Sequence, residues 1–77
     1  MPQNKRLKQA RKHVAEGRQV LSRQHAVIER LKRHGLDTEH SEQILIAFER
    51  SQKIFEADLD RIRQENKYNA SLHRFAR

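Results

Sequence analysis

The chain has 77 residues, 35% of them apolar and 35% charged, with a net charge of +7 and no cysteine. That length fits one small domain with a marginal core, and the charge content excludes a large buried interior. Without cysteine, disulfides, thiolate metal sites and thiol redox chemistry are excluded too.

The N-terminal stretch Met1-Pro2-Gln3-Asn4-Lys5-Arg6 is followed by no apolar run, so no signal peptide is expected. From Lys5 to His34 apolar or small residues recur with alternating steps of three and four. Leu7, Val14, Leu21 and Ile28 take a-type positions, and Ala10, Gly17, Gln24 and Leu31 take the d positions between them. Val20 and Val27 widen this stripe on one side. Such a pattern predicts an amphipathic helix over about residues 5–34 with a coiled-coil-like seam. Lys8, Lys12, Gln19, Arg23, Arg30 and Arg33 lie on the opposite, solvated face.

The chain turns at Gly35-Leu36-Asp37-Thr38. Gly35 supplies the left-handed conformation that closes a helix, with Lys32, Arg33 and His34 at the negative end of its dipole. Leu36 is placed to make the apolar contact that accompanies such a cap. Either Asp37 or Thr38 caps the next helix, whose first turn is favoured by Glu39 and Glu42. A connection confined to residues 35–37 makes the two helices antiparallel neighbours.

Helix 2 is expected over about residues 38–65. Its stripe is Ile44, Leu45, Phe48, Phe55, Leu59 and Ile62, with Ile46 and Ile54 lying off it. Beyond Asn66 the helix signal weakens, although Tyr68, Leu72 and Phe75 keep helical spacing. The turn implies that partners across the seam have numbers summing to about 72, counted at equal rise on both helices. Gly17 then faces Phe55 and Ala10 faces Ile62, so large side chains meet small ones.

The fold class is therefore all-α: residues 1–66 form a two-helix antiparallel hairpin, and 67–77 a basic extension that can continue helix 2. The packing seam is Leu7, Val14, Gly17, Leu21, Ile28, Leu31, Ile44, Phe48, Phe55 and Ile62. One partner helix leaves half of each apolar face wet, so dimerisation into a four-helix bundle is expected. The partner is a second copy or another helical protein. A soluble, cytoplasmic setting follows from an apolar run, Ile44–Phe48, far too short to span a bilayer.

Charge is unevenly spread. Residues 1–35 carry ten Lys/Arg against Glu16 and Glu29, a net +8. Residues 36–66 carry eight acids against four cations, a net −4, and 67–77 add +3. The first consequence is attraction between the two helices. The second is a basic open end, where Lys5, Arg6, Lys8, Arg11 and Lys12 meet Lys67, Arg74 and Arg77. Those cations could neutralise phosphates, with Tyr68 or Phe75 stacking on unpaired bases. Acids interrupt this surface and no base-reading motif is present, so nucleic acid is the less favoured partner.

Catalysis is not expected: no nucleophile elbow or Gly-rich phosphate loop occurs, and a hairpin is expected to offer no concave pocket in which a perturbed group could work. Asp58, opposite Val14, reads either as a partly buried carboxylate close to the seam or as a surface one paired with Arg11, Arg18 or Arg61. His34 and His40 flank the turn near Asp37, Glu39 and Glu42, but their spacing matches no metal-binding pattern. No cofactor, metal or small-molecule substrate is implied.

The run His13-Val14-Ala15-Glu16-Gly17, then Arg23-Gln24, Ile28, Leu31 and Gly35-Leu36-Asp37-Thr38, resembles a group of small proteobacterial helical-hairpin proteins. That group has the pattern H-V-x-x-G…R-Q…I-x-x-L-x-x-x-G-x-D-T and no assigned activity. The likeness continues more loosely through Leu45, Phe48, Glu49 and Ser51, covering about residues 13–62. The resemblance implies a hairpin in a bacterial cytoplasm and transfers no functional residue. The N-terminal arm and the basic tail depart from it.

Overall fold

The computed structural model describes the backbone of residues 2–75 and the side chains of residues 5–69. Among the described residues two helices make up the fold: α1, Pro2–Arg33, and α2, Glu39–Phe75. α1 begins three residues before the expected start, because Pro2 suits the first helical position, where its missing N–H has no partner to lose. The helices are antiparallel. Arg6 near one end of α1 pairs with Glu65 of α2, and Gln24 towards the other end meets Ser41.

The turn is a Schellman closure. Gly35 has φ 66°, the Leu36 N–H donates to the Leu31 carbonyl at 2.9 Å, and the Gly35 N–H donates to Lys32 at 3.0 Å. Leu36 departs from expectation: its side chain is 58% exposed, leaving most of the capping contact unmade. Both candidate caps of α2 contribute. The Thr38 carbonyl accepts the first helical bond, from Glu42 at 2.8 Å, which makes Thr38 the N-cap position. The free Glu39 N–H is satisfied instead by the Asp37 carboxylate at 3.1 Å.

α2 continues to Phe75, past the weak signal at Asn66. Asn66 and Asn69 are half-buried, so packing outweighs their poor helix propensity. Tyr68 is 65% exposed, whereas the side chains of Leu72, Arg74 and Phe75, and all of Arg77, lie outside the described residues.

The core is thin and sits towards the open end. Ala10, Val14, Leu59 and Ile62 form a buried cluster with Leu7 and Phe55 packed against it, and Ile28 is buried separately near the turn. The other expected seam residues, Leu21, Leu31, Ile44 and Phe48, are half-buried. No large side chain among those described is completely buried. The molecule is a rod of 66 × 16 × 14 Å with a radius of gyration of 18.3 Å. A compact chain of this length would have about 11.5 Å.

One seam pairing is corrected. Gly17 does not receive Phe55; the space beside it is filled by the Gln52 side chain, one turn earlier in α2. Counting from the turn fixes which residues are level, but not how each helix is rotated about its axis. The expectation favoured the aromatic residue because burying an amide is costly without a partner. Here the seam supplies that partner: Gln52 Nε2 donates to the Val14 carbonyl at 3.0 Å.

Candidate interaction surface

The two flanks of the seam differ in chemistry. On one flank α1 contributes His13, Glu16, Gly17 and Val20, and α2 contributes Phe48, Ser51, Gln52 and Phe55. Together they line a shallow, largely apolar hollow of about 310 Å³. A second hollow of about 550 Å³ continues towards the open end, lined by Ile54, Ala57, Asp58 and Arg61. His13 and Phe55 line both, and their rings stand together with centroids 5.5 Å apart and planes tilted by 39°.

This groove follows from the sequence pattern. Helical spacing from the buried Val14 carries His13 and Val20 to one side of α1, and spacing from Leu59 carries Ser51 and Ile54 to the same side of α2. Gly17 has no side chain to close the space, and Gln52 fills its floor rather than its mouth. Ile54 stands 68% exposed at the rim, and Val20, Phe48 and Phe55 remain half-buried.

The other flank carries the Arg18–Glu56 pair, which spans the seam at 3.3 Å. The Arg6–Glu65 pair, also at 3.3 Å, lies at the open end on the groove side, one heptad beyond His13 and Asp58. Both pairs are solvent-exposed and worth no more than about 1 kcal/mol each. They do join the basic helix to the acidic one. Ile46, 48% exposed, also lies away from the groove.

Of the basic residues at the open end, Lys5, Arg6, Lys8, Arg11, Lys12 and Lys67 are all exposed. Arg6 is held by Glu65 and Lys12 by Glu16, at 3.9 Å. Asp58 pairs with Arg61 on its own helix rather than across the seam. His34 and His40 are exposed, and among the described residues no three histidine or carboxylate side chains converge on a common point. No described helix is long and apolar enough to cross a membrane.

Two seam residues escaped the sequence reading in their true roles. Gln24, a d-position residue of the α1 stripe, makes a polar contact across the seam: its Nε2 donates to the Ser41 carbonyl at 2.8 Å. Gln52 is absent from the apolar stripe of α2, although its position completes the three–four alternation of residues 45, 48, 52, 55, 59 and 62. That alternation was the available signal. No known protein family, curated protein or solved structure matches this chain.

Proposed function

We propose that this protein is a non-catalytic, helix-packing interaction module that works by associating with a second copy of itself, giving a four-helix bundle. One observation carries the reading: the groove leaves Phe48 and Phe55 half-covered beside a core of five buried apolar residues among those described. The accessible surface is 6630 Å² for 9.2 kDa, against about 4900 Å² for a compact monomer of that mass. The excess is apolar enough along the groove to favour burial by another helix pair. The resemblance noted in the sequence adds a bacterial cytoplasmic setting to the proposal.

Size-exclusion chromatography with light scattering tests it. The expected molar mass is twice the 9.2 kDa of the chain at micromolar concentration. A monomer at every concentration up to the millimolar range would sink the reading.

A second reading concerns the open end, where Lys5, Lys8 and Arg11 are exposed and have no carboxylate partner among the described residues. Such cations can hold phosphates non-specifically. This reading expects DNA or RNA retardation that collapses as salt rises, and it is abandoned if none occurs at low salt.

A further inference from the structure

We infer that the second copy packs on the groove flank, and that the two hairpins run antiparallel, the turn of each beside the open end of the other. This rests on the self-association proposed above and adds its face and its direction.

The face follows from the asymmetry of the hairpin. On the groove flank, Val20, Phe48 and Phe55 are half-covered and Ile54 is 68% exposed. On the other flank the Arg18–Glu56 pair spans the middle of the seam at 3.3 Å, and closing a second copy over it would strip water from both charges. On the groove flank, by contrast, the pairs Asp58–Arg61 and Arg6–Glu65 lie towards the open end, beyond the apolar hollow. A dimer of ordinary size buries about 800 Å² on each partner. The surplus of the hairpin's 6630 Å² over a compact monomer's roughly 4900 Å² is about twice that, so ample surface remains for such a contact. A two-fold pairing uses the same groove on both copies and closes the assembly at two.

Charge sets the direction. At the open end, residues 5–12 and 60–69 carry eight Lys/Arg against Asp60 and Glu65, a net +6. At the turn end, residues 30–42 carry Arg30, Lys32 and Arg33 against Asp37, Glu39 and Glu42, a net of zero. A parallel pair would place +6 against +6. An antiparallel pair sets each basic end beside a neutral one and separates the two by much of the 66 Å rod. Screening falls off over about 8 Å at physiological salt, so the repulsion is felt only in the parallel arrangement.

The absence of cysteine makes a single introduced thiol a clean attachment point. A spin label on Leu36→Cys, in the exposed turn, reports direction by pulsed dipolar spectroscopy. With the two-fold axis near the groove centre, the antiparallel dimer separates the labels by roughly 45 Å along the rod, whereas a parallel dimer brings them within about 20 Å. The face is read from Ile54→Lys and Ile46→Lys, compared by dimer dissociation constant at equal helicity in circular dichroism. Ile54→Lys should weaken the dimer at least about tenfold and Ile46→Lys should leave it within about threefold. Both substitutions fall at exposed sites, so helix content is expected to survive. A dimer with a short Leu36 label distance overturns the direction. A dimer that withstands Ile54→Lys, or is lost with Ile46→Lys, overturns the face. A wild-type chain that stays monomeric overturns the parent reading and this inference with it.

Discussion

Gln52 Oε1 occupies the place where a side chain on Gly17 would begin, so a Cβ added there would fall inside the oxygen. The Gly17 Cα–H therefore points at that oxygen, the arrangement of a weak C–H···O contact. Oε1 is otherwise without a hydrogen-bond partner, while Nε2 of the same amide is bonded to Val14. The two residues are thus a coupled pair. Gly17→Ala should gain about 1 kcal/mol of helix propensity and lose at least as much by displacing the amide. In a Gln52→Ala background only the gain should remain. Urea unfolding of the four variants measures the coupling; additive effects would mean that the two side chains do not share this space.

A buried carbonyl oxygen with no donor is a standing cost. Gln52→Met keeps a long, flexible side chain in the seam and removes that oxygen, and Val14 retains its own helical hydrogen bond. The variant should be as stable as the parent or more so, by up to about 1 kcal/mol. A loss of more than about 2 kcal/mol would show that the Val14 bond matters more than the orphaned oxygen.

The turn is equally exposed to test. Nothing lies within 4 Å of the Cβ position at Gly35, so a larger residue meets no neighbour and only the left-handed backbone opposes it. Gly35→Ala should cost about 1–2 kcal/mol and Gly35→Asn clearly less. Equal costs for the two would point to packing rather than backbone conformation.

Burial and charge should separate cleanly by position. Ile62 is 4% exposed within the main cluster, and Ile62→Ala should cost about 2–5 kcal/mol. Glu56→Gln breaks only the exposed pair with Arg18 and should cost less than about 1 kcal/mol, an effect that shrinks further in high salt. Thermal unfolding of both variants, followed by circular dichroism, would check the ordering.

Asp37 caps the N-terminus of α2 through the Glu39 N–H. Asp37→Ala should lose about 0.5–2 kcal/mol, and Asp37→Asn should retain most of it because the amide oxygen can still accept. If Asp37→Ala matches the wild type, the Thr38 side chain has taken over the cap.

Much of this was readable in the residues. The three–four spacing from Leu7 to Leu31, the left-handed glycine at 35 and the acids at 39 and 42 are local signals, and each acts through its own stretch of backbone. That Ala10 and Ile62 belong to one buried cluster accords with the register set by the short turn. What stayed hidden was helix rotation, because Gln52 and Phe55 are neighbours on one face and either can point into the seam. The choice depends on a carbonyl at Val14, which no side-chain pattern records. The groove was partly legible, since Ile54 stood off the stripe and Val20 widened it. That the two hollows share the His13 and Phe55 rings needed the packed helices.

The left-handed Gly35 has one more consequence. Among the described residues the contacts that hold α1 to α2 are made between helix faces, and the Arg6, Gln24 and Gln52 partners would be satisfied equally by an α2 from a neighbouring chain. Only the reversal at 35–38 ties each helix to its own sister. A chain straightened there into one continuous helix would exchange halves with another and keep the same seam, so this single glycine guards the hairpin against domain swapping.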